Sequence, residues 1–264
     1  NVNGNGLPSA FPATRSVQEI ARFISTATPE VMSKLRDDAV LRTILQNLDS
    51  QDRLKLLRTR VPLETSNNMK DYLIWRILSP NSLSLTDFCS CINSLIQLLP
   101  EGDWASLCKL IDCNGQNILH KLMALPVSSY YDDKSAQCVE CMSCIVGQLD
   151  ADERLSLLIR RDFSGASAFS NIFKKISVYM APNPKRSISN YIGTATFIIR
   201  AVDALLDNPA AKLVFFRSPC CLSGGTIIHA VFHEIFLYPA EESLNDWSYY
   251  TLGYILQSIK DPKA

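Results

Sequence analysis

Cys138, Cys141 and Cys144 stand three residues apart, a spacing that can bring two thiolates onto one metal or set up a redox pair. A structural zinc needs a second ligand pair to close its tetrahedron, and none follows nearby. The three alternate with Val139, Met142 and Ile145 on a helical pattern, so the residues favour packing as small hydrophobes. His229 and His233 lie four apart on one helical face, as the ligands of a zinc enzyme do. Glu234 follows the second histidine, however, and the HExxH order is absent. A structural role for His229 is therefore preferred to metal ligation by His229 and His233. His120 shares its segment with Cys108 and Cys113, which raises a thiol–imidazole nucleophile. No orienting group or oxyanion loop accompanies that pair. Gly193 and Gly224-Gly225 match neither GxxxxGK(S/T) nor GxGxxG, so no phosphate cradle is expected. The reading assigns no catalytic residue, metal or cofactor.

The histidines instead fall into a recurring pattern. Asp112-Cys113-Asn114-Gly115 leads into Ile118-Leu119-His120, Asp162-Phe163-Ser164-Gly165 into Ala168-Phe169-Ser170, and Leu222-Ser223-Gly224 into Ile227-Ile228-His229. Four residues after each glycine comes an apolar side chain (Leu119, Phe169, Ile228). An apolar pair follows three and four residues later (Leu122/Met123, Ile172/Phe173, Val231/Phe232). That offset is one face of a helix. Asp112, Gly115, His120, Asp162, Gly165, Gly224 and His229 are thus read as structural residues of repeated turns. Upstream, Ile74, Ile77 and Leu78 match the same triplet with Lys70 where the glycine would stand, so the first unit has lost its glycine turn.

Two helical patterns precede each turn. Phe88, Ile92, Leu95, Ile96 and Leu99 are followed by Trp104, Leu107, Leu110 and Ile111; Val139, Met142, Ile145, Val146 and Leu149 by Leu155, Leu158 and Ile159. Leu41, Ile44, Leu45 and Leu48 begin the first unit, and Phe197, Ile198, Ala201, Val202, Leu205 and Leu206 the last. Leu48-Asp49-Ser50-Gln51-Asp52-Arg53 and Leu149-Asp150-Ala151-Asp152-Glu153-Arg154 are near copies, each with an acidic residue where a helix N-cap would stand. A unit that cannot bury its own apolar face must stack on its neighbours. The expected fold is therefore all-α: a helical-repeat solenoid of about four three-helix units with helical caps. Residues 1–15 read as a disordered leader, 16–37 as an N-terminal helical cap, 38–240 as the repeats and 241–264 as a C-terminal capping helix.

With 47% hydrophobic residues the chain can bury a large core. Its 26 basic residues balance 26 acidic ones, so no overall field draws a nucleic-acid backbone or an anionic membrane. No apolar run approaches the roughly 20 residues that cross a bilayer, and no basic-then-apolar signal pattern opens the sequence. Nine cysteines, mostly on apolar helix faces, fit a reducing compartment, which points to the cytoplasm.

The extended loops after the turn helices carry Tyr130-Tyr131-Asp132-Asp133 and Lys185-Arg186. Tyrosine gives large contact area at low entropy cost and arginine pairs with carboxylates. Tyr130, Tyr131, Asp132, Asp133, Lys185 and Arg186 are accordingly the candidate partner-binding residues. The segments Asp112 to His120 and Gly225-Thr226-Ile227-Ile228-His229-Ala230 resemble the ankyrin consensus, in which an Asp-x-x-Gly-x-Thr-x-Leu-His-x-Ala turn opens each repeat. The resemblance covers the turn and first helix of three units. It departs where Ser170 replaces the histidine, where the usual proline is missing, and where an extra short helix lengthens each unit. Degenerate, helix-extended repeats of this kind are similar to those of effector proteins that intracellular bacteria deliver into host cells. The resemblance implies a virulence module that binds a folded host protein from the host cytoplasm. Two alternatives stand beside this protein-interaction scaffold: a metal-dependent or cysteine-based enzyme, and an accessory repeat domain of a longer enzyme.

Overall fold

The computed structural model describes residues 16–63, 66–79, 83–125, 133–170 and 197–219, together with the single positions 225, 226, 229, 253, 256 and 257. The expected leader (1–15), nearly all of the expected C-terminal capping helix (241–264), and Tyr130, Tyr131, Asp132, Lys185, Arg186, Gly224 and His233 lie outside them. The chain divides into two compact units, one ending at Pro126 and the other beginning at Val127.

The first unit is mostly helical. It contains α1 (Val17–Thr26), α2 (Pro29–Leu35), α3 (Asp38–Gln46), α4 (Ser50–Leu57), α5 (Leu73–Ile77), α6 (Leu85–Leu98), α7 (Glu101–Cys108) and α8 (Ile118–Ala124). Apart from α5 and α7, which follow Tyr72 and Pro100, each helix start has a side chain that accepts a free backbone amide. Ser16 accepts from Glu19 N, Thr28 from Val31 N with Pro29 behind it, and Ser84 and Asp87 close a reciprocal box at the head of α6. Val17, Ile20, Ala21 and Ile24 form the buried stripe of α1. α1 packs on α4 and α5, α3 on α6, and α6 on α7. Between them Leu57, Leu73, Ile74, Leu78, Phe88, Leu95 and Trp104 are fully enclosed.

One element departs from a wholly helical chain. Strands β1 (Arg60–Leu63) and β2 (Ser66–Tyr72) form an antiparallel hairpin in which Arg60 faces Tyr72 and Val61 faces Asp71. The guanidinium of Arg60 lies 4.8 Å from the centre of the Tyr72 ring. The hairpin occupies the place where the first unit lacks its glycine turn. Its strands are short, and Pro62 interrupts the first, so no alternation announces it.

The second unit holds α9 (Asp133–Val146), α10 (Ala151–Ile159), a helix α11 over 197–205, and α12 (Pro209–Arg217). Every apolar residue expected on α11 and just beyond it, from Phe197 to Leu206, is buried. α10 packs on α12, and Phe169 meets Phe215 edge-on at 5.2 Å between ring centres.

The near-copied segments give near-copied geometry. Asp49 and Asp150 share backbone angles of φ −70 and ψ 170, and each accepts the amide three residues on, from Asp52 and Glu153. Arg53 Nε donates to the carbonyls of Leu45 and Leu48 at 2.7 and 3.0 Å, while Arg154 Nε donates to Val146 and Leu149 at 3.1 and 2.9 Å. Each arginine thus satisfies the carbonyls left open at the end of the preceding helix. Arg53 also reaches Leu98 O at 2.6 Å, beside the end of the next long helix. Arg154 reaches Asp207 at 3.7 Å, just past α11.

Candidate functional site

Among the residues singled out as turn formers, Asp112 with Gly115 and Asp162 with Gly165 build corners after the short helices α7 and α10, those of the second and third units. At the second corner Asp112 Oδ1 accepts from the amides of Asn114 and Gln116, both at 2.8 Å, and Gly115 N bonds back to Asp112 O. Gly115 closes the loop at φ 80, where a β-carbon would be strained. The third corner repeats the scheme. Asp162 Oδ1 accepts from Ser164 N at 2.9 Å and Ala166 N at 3.0 Å, and Gly165 sits at φ 78. Asp112 N and Asp162 N each donate to the carbonyl four residues ahead, of Gln116 and Ala166.

A polar pair at i and i+3 follows both described glycine corners and recurs at Thr226 and His229. Asn117 Oδ1 accepts from Leu119 N and His120 N, and Nδ1 of His120 lies 2.8 Å from that oxygen and 3.3 Å from Asn117 N. The two contacts require opposite tautomers. In one the Asn117 N–H donates to Nδ1 and closes a reciprocal box, as at the later pairs; in the other Nδ1–H donates to Asn117 Oδ1. At the third corner Ser167 N donates to Ser170 Oγ at 2.9 Å, the two hydroxyls being 3.2 Å apart. At the fourth, Thr226 N donates to His229 Nδ1 at 3.3 Å and the Thr226 hydroxyl lies 2.7 Å from the same nitrogen. There the hydroxyl is a donor, so Nδ1 is the acceptor. Ser170 thus takes the histidine's part with a hydroxyl.

Strand-like pairing also recurs. Arg161 bridges to Ser167, and Pro219 to Thr226, each joining the residue after a short helix to the one that opens the next. Arg60 and Tyr72 make the same connection at the base of the β1–β2 hairpin, Tyr72 being the cap residue of α5. The hairpin is this corner with a longer excursion between its two ends.

Behind the second corner lies a polar cluster that periodicity does not reveal. The buried Asp71, at the end of β2, accepts from Tyr72 N at 2.8 Å and from Cys113 N at 3.4 Å, linking the hairpin to the next corner. Lys121 Nζ pairs with the buried carboxylate of Asp112 and with Gln116 Oε1. Burial pushes the Asp71 carboxyl above its ordinary range, and the charge of Asp112 adds to the rise. The half-buried Cys113 thiol is likewise pushed up, by burial first and then by the charges of Asp71 and Asp112. That direction is opposite to the activation a nucleophilic cysteine needs. His120 is committed to the head of α8.

Cys138 and Cys141 are buried on α9, and Cys144 is half-buried. Among the described residues no group of three or more His, Cys, Asp or Glu side chains is placed to hold a metal ion. No helix there is long and apolar enough to cross a membrane. Asp133 is the first residue of α9; the rest of the two candidate binding loops falls outside the described residues. Sequence reasoning missed Asn117, Ser167 and Thr226 as partners of the i+3 residues, and Asp71 and Lys121 altogether. The i, i+3 spacing of Asn117 with His120 and of Thr226 with His229 was available as a signal. Compared with protein-family models, curated proteins and solved structures, the chain gives no match.

Proposed function

We propose that this chain is a non-enzymatic protein-interaction scaffold: a solenoid of about four three-helix, ankyrin-like units that binds a folded partner, as a virulence effector module would grip a host protein in the host cytoplasm. One observation carries the reading. The Asp-braced glycine corner occurs at Gly115 and again at Gly165, and an i, i+3 polar pair recurs with different residues in matching places (Asn117/His120, Ser167/Ser170, Thr226/His229). Recurrence of geometry under changing residue identity is what stacked units of common design produce. Two of the histidines first considered for chemistry are occupied with architecture: His120 pairs with Asn117 at the head of α8, and His229 with Thr226.

Binding residues concentrate in loops held on a rigid scaffold, so Tyr130, Tyr131, Asp132, Asp133, Lys185 and Arg186 remain the preferred contact set. The test is capture of a partner from host cytosol, identified by mass spectrometry, with wild-type chain and Tyr130→Ala/Tyr131→Ala in parallel. Loss of one specific partner at unchanged thermal midpoint supports the scaffold. Stoichiometric zinc in purified protein that disappears in His229→Ala would instead favour the metal-enzyme alternative.

A further inference from the structure

The second unit carries an exposed patch that its own packing does not use. Arg154 in the first half of α10 reaches Asp207, two residues before α12, and Phe169, two residues past the Ser167 that bridges to Arg161 just beyond α10, meets Phe215 in the last turn of α12. The two helices therefore run side by side with the same polarity, and their C-terminal ends share an edge. On that edge Arg160, Arg161 and Arg217 are all exposed. Among the described residues none of the three guanidiniums has a carboxylate partner. Phe163 stands at the tip of the adjoining corner with 74% of its surface in water, and Val214, 45% exposed, lies one turn before Arg217 on α12. The nearest carboxylate in sequence, Asp162, is half-buried and accepts from Ser164 and Ala166 within its own turn.

The helix dipole accounts for a cation at the end of α10 or α12. It does not account for Arg161 on the bridge to Ser167, nor for an aromatic ring left in solvent. The acidic residues of these helices, Asp150, Asp152, Glu153 and Asp207, gather at the opposite ends. The chain's formal neutrality thus conceals two edges of opposite sign in this unit. Arginine forks match carboxylates two bonds at a time, and an exposed ring beside them is a hot-spot composition. A nucleic-acid track would need cations continuing along a groove, whereas these are confined to the ends of one helix pair.

We infer that Arg160, Arg161, Arg217 and Phe163 form a docking edge for an acidic segment of a partner protein that carries an apolar residue among its carboxylates. The inference rests on the scaffold reading and names the chemistry of one partner contact. The probe is a phage-displayed library of random twelve-residue peptides selected on the full chain, beside Arg160→Glu/Arg161→Glu/Arg217→Glu and, separately, Phe163→Ser. All four positions are exposed, so both variants should keep the wild-type thermal midpoint. Selection on wild type should enrich peptides rich in Asp and Glu with an interspersed apolar residue. Their capture should fall at least tenfold on the charge-reversed chain and several-fold on Phe163→Ser, and the charge-reversed chain should itself select basic peptides. Acid-rich peptides held equally by wild type and charge-reversed chain would overturn the docking edge while leaving the scaffold intact. Enriched peptides without acidic bias, or labelled oligouridylate binding lost with the same arginines, would overturn it too. No enrichment at all would overturn the docking edge, while the scaffold stands or falls by capture of a folded partner.

Discussion

His120 shows how a residue suited to catalysis can be consumed by a helix start. Its ring is fully buried and its Nδ1 faces Asn117, so the pair acts as one cap. Removing the cap with Asn117→Ala is expected to cost about 1–2 kcal/mol in urea unfolding. His120→Ser, which copies the Ser167/Ser170 arrangement, should lose less than His120→Val, which leaves Asn117 facing an apolar group. Equal losses would show that the box contributes nothing. Gly115→Val and Gly165→Val should each cost roughly 1 kcal/mol or more, because both positions hold φ near 80; unchanged thermal midpoints would refute this. The Asp71 carboxyl gives a pH signature. Its folded value is raised by burial, so the native state holds this proton more tightly than the unfolded chain does. The stability it contributes is fully present below the unfolded value of about 3.9 and is lost as pH rises through the raised folded value. Wild type should therefore gain on Asp71→Asn as pH is lowered from 7 toward 3. A constant difference across that range would argue against the raised value.

At the level of elements, arginine forks decide how helices end. Arg53 joins the carbonyls of Leu45, Leu48 and Leu98, three acceptors that a point-charge ammonium cannot bridge in the same plane. Arg53→Met should destabilise by about 2–3 kcal/mol, since charge-assisted bonds are lost and carbonyls left open, and Arg53→Lys should recover less than half of that. Near-complete recovery by lysine would mean that charge alone matters. Much of this level was legible: the apolar stripes of α3, α6, α9 and α11, the caps at Asp49 and Asp150, and the likeness of the Arg53 and Arg154 segments all appear as patterns of residue type. The β1–β2 hairpin was not, because its strands are short and Pro62 breaks the first, leaving no alternation to read. The Asp71 contact escaped because its partner Cys113 lies far along the chain, and the Lys121 contact because no helical or strand period marks a polar pair across a turn. Phe163 was visible only as part of a turn; its exposure belongs to the folded corner.

Across the whole molecule, the two compact units meet in sequence at Pro126 and Val127, and their cysteines report on how each opens. Cys89, Cys91 and Cys108 in the first and Cys138 and Cys141 in the second are buried. With a thiol reagent in native buffer these five should react only as fast as the surrounding core opens, and at once in 6 M guanidinium on the order of seconds. Prompt native reaction of Cys138 and Cys141 would contradict their place inside α9. The recurring bridge carries a further consequence. Arg161 and Ser167 close a corner over a few residues, whereas Arg60 and Tyr72 close the same connection over a full hairpin. Since lengthening a loop costs only slowly growing entropy, the point between each pair is a natural splice site, where a reporter or foreign epitope could be grafted while the helices on either side keep their partners.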